Sequence, residues 1–156
     1  MKTDKKIVTL EELKKEVNEH RKKKETIAFT NGCFDILHLG HVSYLEKAKG
    51  KNRVLIVGLN SDASVRKIKG EGRPINNQQA RAKVLAALVY VDFVVIFDEE
   101  TPLKLIEAVK PDVLIKGADW KKEDVVGASV VGKVELVPYL ASYSTSGTIA
   151  LIKKNG

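Results

Sequence analysis

Short apolar runs alternate with amphipathic segments along the chain, and this alternation limits the possible folds more than any other feature. The strand-like runs are TIAFT (26–30), RVLIVGL (53–59), VDFVVIF (91–97), DVLIK (112–116) and KVELVP (133–138). Strands alternating with helices are typical of α/β proteins, and continuous apolar strands are covered on both faces, as in a parallel sheet. Right-handed crossovers then predict one Rossmann-like, doubly wound sheet of five parallel strands, for which we expect the order 3-2-1-4-5.

Helical segments are predicted between the strands and at both ends of the chain. Thr9 opens a capping box with Glu12, which predicts a first helix that runs to about residue 24. Other predicted helices cover 39–49, 62–67 and Gln78–Val89, follow Thr101-Pro102, and run from Ser144 or Thr145 to about Lys154. We expect one domain over residues 1–156, with an N-terminal helix in 1–24 and the core in 25–156.

The composition excludes several classes of protein. A chain of 156 residues with 44% hydrophobic residues and four prolines is long and apolar enough to bury a core. Its one cysteine excludes an internal disulfide framework and a CxxC-type zinc site. No apolar run approaches the ~20 residues that span a bilayer, and the N-terminus lacks the apolar stretch of a secretory signal. We therefore expect a cytoplasmic protein that does not bind a membrane.

The formal net charge of +7 has two interpretations. Lysines are abundant near both ends, and acidic residues lie among those of the N-terminal group, which is typical of a solvated helix face; an anion-attracting field is the alternative. A basic protein of this kind attracts nucleotides or sugar phosphates as readily as nucleic acid. No RNP-like aromatic motif or zinc-finger spacing is present. We therefore expect no nucleic-acid partner.

Residues 30–41, TNGCFDILHLGH, carry the strongest functional signal. They follow a predicted strand and enter a predicted helix, at the edge of a doubly wound sheet where ligands bind. Gly32 lets the chain turn close to a bound phosphate, and the helix N-terminus offers unpaired N–H groups and about half a positive charge. His38 and His41 are three residues apart, so their rings can face one side and donate hydrogen bonds to phosphate oxygens.

Zinc binding is the rival interpretation of this histidine pair. Zinc needs a third and a fourth ligand. The remaining candidates are His20, in the polar first helix, and Cys33, the single thiol. The sequence therefore predicts no metal site made of protein ligands alone.

GCFDILHLGH resembles the GxFDxxHxGH signature of the cytidylyltransferase-like nucleotidyltransferases. Further segments resemble the branch of this family that makes ADP-heptose: TNGCFDILHLGHVSYLEKAK, VGLNSDASVRKIKGEGRPIN, YVDFVVIF, PDVLIKGADW and STSGTI. The resemblance covers about residues 8–154. It implies transfer of AMP from ATP to D-glycero-β-D-manno-heptose 1-phosphate, which gives ADP-heptose and pyrophosphate for lipopolysaccharide core biosynthesis.

The same resemblance leaves an alternative open, a related transferase such as glycerol-3-phosphate cytidylyltransferase that uses CTP or another phosphate acceptor. Glycerol-phosphate enzymes carry an arginine just before the last helix, which residues 139–142 lack. This difference favours the ADP-heptose branch. In many bacteria that domain is fused to a sugar kinase domain, which is absent from this sequence, so we expect the stand-alone form. Relatives are commonly dimers, so a homodimer is expected.

The resemblance also implies an in-line displacement at the α-phosphate of ATP, with Mg²⁺ held mainly by the ATP phosphates. His38, His41 and Lys69 are then the expected catalytic residues. Nucleotide contacts are expected from Asn31, Gly32, Cys33, Phe34, Gly40, Arg81, Lys116, Gly117, Asp119, Ser144, Thr145 and Ser146. Weaker substrate contacts are expected from Thr30, Asp35, Asn60, Asp62, Arg73 and Trp120.

Several of these residues have structural alternatives. Asp35 is a carboxylate in an anion site, so it either orients a histidine or lysine, approaches Mg²⁺ through water, or stabilises the turn. Arg81 either contacts phosphate, orients the Lys69 loop, or is an exposed helix charge. Lys69 is otherwise a solvated loop charge, and Trp120 is otherwise part of the core.

Overall fold

The structure is a computed structural model that describes residues 2–138, 140 and 142–155; Met1, Tyr139, Ala141 and Gly156 lie outside the described residues. Five strands form one sheet: β1 (Thr26–Gly32), β2 (Arg53–Asn60), β3 (Phe93–Phe97), β4 (Val113–Gly117) and β5 (Lys133–Val137). All are parallel, in the order β3-β2-β1-β4-β5. The predicted fold class and strand order are confirmed.

Among the described residues, six α-helices connect and flank these strands: α1 (Leu10–Lys22), α2 (Leu39–Lys49), α3 (Asp62–Lys69), α4 (Gln78–Ala87), α5 (Leu103–Val109) and α6 (Thr145–Asn155). Short 3-10 helices occur at Thr3–Lys6 and Lys122–Asp124. In the described part of the chain, none of the helices has the length and apolar character needed to cross a membrane.

Some element boundaries differ from the prediction, for local reasons. Helix α1 ends at Lys22 because Lys24 adopts a φ of 60°, which turns the chain into β1. Helix α4 ends at Ala87 and not at Val89, because Leu88 has extended backbone. Strand β3 begins at Phe93, since Val91 still belongs to the turn that follows α4 and donates to the Leu88 carbonyl.

The two faces of the sheet carry separate apolar layers. On one face, Tyr44, Leu45 and Ala48 of α2 and Leu85 of α4 pack against buried residues such as Leu55. On the other, α1 and α5 cover the sheet with Leu13, Val17, Leu105 and Ile106, which pack against residues such as Phe29. Burying a Leu- or Phe-sized side chain stabilises a fold by about 1.5–3 kcal/mol, so both layers hold the sheet in place. Because the helices cover the two faces of the sheet, a ligand-binding site can form among the loops at its carboxyl edge.

The segment before α1 covers the free edge of β3. Ile7 forms an isolated parallel bridge with Val94, and the Val8 amide donates to the Val94 carbonyl at 3.0 Å. Lys6 Nζ donates to the carbonyls of Leu88 and Val91 at 3.1 and 2.7 Å. This pairing protects an edge strand, which otherwise presents unpaired backbone groups.

Candidate active site

Helices α2 and α6 begin beside one another at the carboxyl edge of the sheet. His38 precedes α2 with extended backbone and makes no side-chain cap bond. Thr145, the first residue of α6, donates through Oγ1 to the Ile36 carbonyl at 3.3 Å. A Cβ added to Gly40 would lie 3.3 Å from Tyr143 Cβ and 3.0 Å from the His38 ring. The two N-termini, each carrying unpaired N–H groups and partial positive charge, therefore face the same space.

This space is a cleft of about 690 Å³. Most of the predicted site residues line it: Asn31, Gly32, Cys33, Phe34, Asp35, His38, His41, Asn60, Lys69, Arg73, Lys116, Gly117, Trp120, Ser144, Thr145 and Ser146. They come from β1 and the loop that leads into α2, from α2 itself, from β2, from the end of α3 and the α3–α4 loop, from β4 and the segment after it, and from the start of α6. These segments are distant in sequence. The cleft thus lies where a doubly wound sheet places its ligands.

Five predicted residues do not line the cleft: Thr30, Gly40, Asp62, Arg81 and Asp119. Thr30 is buried and its hydroxyl lies 2.8 Å from the Tyr44 hydroxyl. Gly40 lies against the His38 ring, Asp62 pairs with Arg81, and Asp119 is exposed after β4.

Other residues of the cleft wall were not predicted: Tyr44, Ile68, Glu100, Thr101, Pro102, Val126, Leu140 and Tyr143. Residues 100–102 follow β3, which lies beside β2 in the sheet. The rule that ligands bind at the carboxyl ends of strands applies to β3 as well, so this segment had a usable signal.

His38 and His41 form a stacked pair, with ring centroids 3.8 Å apart and an interplanar angle of 24°. Within the described part of the chain, Nδ1 of each ring is buried and has no hydrogen-bond partner. Burial and the neighbouring His38 lower the pKa of His41 to about 4, and burial also lowers the pKa of His38. Both rings are therefore neutral at pH 7, and each retains hydrogen-bonding capacity for a ligand.

Lys116 is a cation inside the cleft wall, at the end of β4. Its Nζ donates to Asn31 Oδ1 at 2.5 Å and lies 5.6 Å from the centre of the Trp120 ring. Burial lowers the pKa of Lys116 to about 8, against the opposing effect of Asp119. A desolvated ammonium group with an amide as its closest partner is suited to accept an anion. Trp120 is 44% exposed and lines the cleft, so it is not a core residue.

Arg81 is a scaffold residue, because its guanidinium group is fully buried and engaged on every nitrogen. Nη1 donates to the carbonyls of Cys33 and Asn60 at 2.6 and 2.9 Å. Nε donates to the Asn76 carbonyl at 3.0 Å, and Nη2 donates to Asp62 Oδ1 at 2.8 Å. The alternative of an exposed helix charge is wrong. The group connects the ends of β1 and β2 to the segment before α4.

Asp35 is equally enclosed. Its carboxylate accepts from Arg73 Nε at 2.8 Å and from the amides of Ile75 and Asn76 at 2.9 Å. Burial alone would raise the pKa of Asp35, but the two amides and Arg73 lower it overall. Its partners are therefore backbone amides and an arginine of the α3–α4 loop.

Comparison with known proteins gives close relatives. Residues 29–149 match the profile of the cytidylyltransferase-like family. A bifunctional protein HldE of Campylobacter jejuni subsp. doylei is 59% identical over 150 residues, which are 96% of this chain and 32% of that protein. The HldE protein of Helicobacter pylori is 51% identical over 97% of this chain and 32% of its own length. The chain thus spans about one third of the length of these curated relatives.

Solved structures that resemble this protein include two of known description. A lipopolysaccharide core biosynthesis protein from Thermoplasma volcanium superposes with a TM-score of 0.60 and 28% identity over 73% of this chain and 95% of that one. A pantoate-beta-alanine ligase from Francisella tularensis has a TM-score of 0.62 over 90% of this chain and 69% of its own, at 19% identity, which is a likeness of fold. Because the family profile matches most of the sequence, including the whole histidine signature, the chain belongs to the cytidylyltransferase-like family.

Proposed function

We propose that this protein transfers AMP from ATP to D-glycero-β-D-manno-heptose 1-phosphate, releasing pyrophosphate and forming ADP-heptose for lipopolysaccharide core biosynthesis. The observation that carries the proposal is the stacked pair His38 and His41, whose buried Nδ1 atoms have no partner among the described residues and which lines one cleft with the N-terminus of α6. Family membership supports nucleotidyl transfer. The HldE relatives, at 51–59% identity, and the structural relative named for lipopolysaccharide core biosynthesis support the choice of acceptor.

The reaction is an in-line displacement. A phosphate oxygen of the sugar forms a bond to the α-phosphorus of ATP while the bond from that phosphorus to the bridging oxygen breaks, and this oxygen leaves with pyrophosphate. No covalent enzyme intermediate is needed. The protein contributes positioning and stabilisation of the charge that builds on the phosphate oxygens.

Individual residues divide this work. His38 and His41 donate hydrogen bonds to the α- and β-phosphates, and the first turns of α2 and α6 add backbone N–H groups. Lys116 offers a desolvated positive charge beside Asn31. Lys69, at the end of α3, brings a second ammonium group to the wall of the cleft. Trp120 and Gly117 border the space available to the base.

We propose Mg²⁺ as the cofactor, held by the phosphates of ATP. The cleft fits this arrangement because His38, His41, Lys69 and Lys116 line it and can hold the phosphates that would carry the ion. Asp35 already accepts three hydrogen bonds within the protein. When bound to the phosphates, the ion would neutralise part of their charge.

The remaining expectations stay proposals. We propose one domain over residues 1–156, with a nucleotide-binding core in 25–156, that acts in the cytoplasm without nucleic-acid or membrane partners. A homodimer is supported by helix α6, which buries none of its described side chains and exposes Leu151 and Ile152. Light scattering on the purified protein measures the mass of the assembly, and a monomer would contradict the dimer.

The function is tested by measuring pyrophosphate release while ATP and CTP are each combined with several sugar 1-phosphates and with glycerol 3-phosphate. We expect the highest rate with ATP and D-glycero-β-D-manno-heptose 1-phosphate. A preference for CTP or for glycerol 3-phosphate would instead support the alternative function, that of a related transferase such as glycerol-3-phosphate cytidylyltransferase. Absence of release with every combination would refute nucleotidyl transfer.

A further inference from the structure

We propose that Asp35 is a positioning residue whose buried carboxylate clamps residues 73–76 and so determines where Lys69 stands in the cleft. The inference deepens the proposed function and rests on it, because Lys69 is assigned there to the phosphates. It gives the signature carboxylate a role that does not require contact with substrate or metal.

The clamp consists of contacts in both directions. Three donors converge on the Asp35 carboxylate: Arg73 Nε and the amides of Ile75 and Asn76, at 2.8–2.9 Å. In return, Asn76 Nδ2 donates to the Asp35 carbonyl at 2.8 Å. The Asp35 side chain is 0% exposed and that of Arg73 is 17% exposed. Hydrogen bonds to a charged, desolvated acceptor are the strong ones, so this segment is firmly attached to the histidine signature.

Arg81 attaches the same segment to the histidine signature by a second route. Its guanidinium group bridges the carbonyls of Asn76 and Cys33, the residue two before Asp35. Residues 73–76 are therefore bound to residues 33–35 through two buried ionic side chains. The stretch between Lys69 and Arg73 has no such attachment. A Cβ added to Gly70 or Gly72 would meet nothing within 4 Å, so these two glycines lie in open space.

The clamp limits how far the lysine can move. Helix α3 ends at Lys69, and Gly70 and Gly72 have φ of 88° and 79°, values that glycine adopts without strain. With 73–76 fixed, residues 70–72 span at most about 10 Å. If the Asp35 contacts open, Arg81 still holds the Asn76 carbonyl, so the free stretch grows to 70–75 and to about 20 Å. Lys69 is the last residue of α3, so the last turn of this helix then frays more easily, and the entropic cost of ordering the ammonium group against phosphate rises.

Direct contact between Asp35 and the substrates is the competing role. A carboxylate with no exposed surface and three donors in place would have to lose those bonds to reach a ligand or a metal. That loss carries the cost of leaving buried donors unsatisfied. The geometry therefore assigns Asp35 to the loop.

A double-mutant cycle in the full chain tests the proposal. Pyrophosphate release is measured for wild type, Asp35→Asn, Lys69→Ala and the double variant. Asp35→Asn is expected to lower turnover about ten-fold or more alone, but less than about two-fold in the Lys69→Ala background, because a clamp acts through the residue that it positions. The proposal would be overturned if Asp35→Asn turned over as fast as the wild type. It would also be overturned if the fold-losses of the two single variants multiplied in the double variant.

Limited trypsin digestion gives a readout independent of activity. Cleavage between Lys69 and Gly70 is expected to be about five-fold faster or more in Asp35→Asn, because local opening lets this exposed segment adopt the extended conformation that a protease binds. Arg73→Ala is the second variant if Asp35→Asn does not fold, since it leaves the two amides on the carboxylate. Glu135→Gln is the matched control; it breaks the ion pair with Arg53 (2.6 Å), which lies away from the cleft. Unchanged cleavage in both clamp variants would refute the clamp.

The two failures are distinguishable. If Lys69→Ala lowers turnover while its effect multiplies with that of Asp35→Asn, the clamp is refuted and the proposed function stands. If the wild type releases no pyrophosphate with any substrate pair, the function is refuted, and the trypsin comparison decides by itself whether Asp35 holds the loop.

Discussion

His38 and His41 stack with their ring centroids 3.8 Å apart, and in the described part of the chain Nδ1 of each ring is buried without a partner. Burial disfavours the protonated form of His41, and the neighbouring His38 adds charge repulsion, so the pKa of His41 is lowered to about 4. The site thus holds a neutral pair whose unused nitrogen atoms lie beside two helix N-termini. The proposed polyphosphate ligand would supply the negative charge and the oxygen atoms that this arrangement lacks.

His41→Asn is expected to reduce turnover about 10²-fold or more, because removing one pre-oriented donor to a developing charge costs about that much. Asparagine keeps a polar group near the position of Nδ1, but it has no group at the position of Nε2, farther out on the ring. Pyrophosphate release measures the effect. His20→Asn is the matched control, since His20 pairs with Glu25 at 2.6 Å and does not line the cleft. Equal turnover of wild type and His41→Asn would contradict the assignment.

Burial of His41 also makes stability depend on pH. Its folded pKa, about 4, lies below the ordinary value of 6.5, so the unfolded chain binds a proton that the folded chain does not bind between these values. The stabilisation is complete above pH 6.5 and is lost as the pH falls toward 4, with a slope of at most about 1.4 kcal/mol per pH unit.

Urea denaturation of wild type and His41→Asn at pH 7, 5.5 and 4.5 isolates this contribution, because other titrating groups cancel in the difference. The wild type is expected to lose more free energy of unfolding than the variant over this range. Parallel curves for the two proteins would show that His41 titrates normally.

Lys116 predicts a second pH dependence, in ligand binding. Because burial lowers its pKa to about 8, the ammonium charge is present at pH 7 and mostly lost at pH 9.5. The affinity for ATP is expected to fall over that range, as measured by calorimetry. Lys116→Arg is expected to remove this dependence, since arginine stays charged, and Lys116→Met should bind weakly at both pH values. A Lys116→Arg curve identical to that of the wild type would assign the titration to another group.

Arg81→Met is expected to destabilise the fold by about 3–5 kcal/mol, the usual cost of removing one partner of a buried charge pair. The change leaves Asp62 and the carbonyls of Cys33, Asn60 and Asn76 without their donor. Arg81→Lys should recover only a minor part of the lost free energy of unfolding, because an ammonium group cannot reproduce the planar array of donors on a guanidinium group.

The free energy of unfolding in urea provides this measurement. Arg53→Met is the control: its partner is Glu135, at 2.6 Å, but the Arg53 side chain is 18% exposed, so water can replace part of the pair. A loss for Arg81→Met no larger than that for Arg53→Met would show that Arg81 does not hold the strand ends together.

The sheet could be predicted from the sequence because its signals are local. Each strand is a short apolar run, and each crossover contains a helical period, so the handedness of the crossovers limits the strand order. The start of α2 was predictable for the same reason, since residues 30–41 carry a turn, a helix start and two histidines in one segment. Most of the predicted cleft residues follow strands, which a parallel sheet brings to one edge.

Long-range contacts were not predictable, because no local pattern encodes them. Arg81 was expected either to contact phosphate, to orient the Lys69 loop or to be an exposed helix charge. Its burial depends on the carbonyl groups of Cys33, just after β1, and of Asn60, at the end of β2. The bridge between Ile7 and Val94 joins segments 87 residues apart in the chain. The partners of Asp35 depend on how the α3–α4 loop folds back, which sequence spacing does not determine.

The account rests on a triphosphate bound between the start of α2 and the start of α6, and an ATP titration followed through the ring protons of the three histidines tests this most directly. His20 is an internal control at the other end of the sheet, where it pairs with Glu25. The account predicts that ATP shifts the resonances of His38 and His41, raises the pKa of His41 above about 4, and leaves His20 unchanged. ATP binding that leaves both His38 and His41 unperturbed would contradict it.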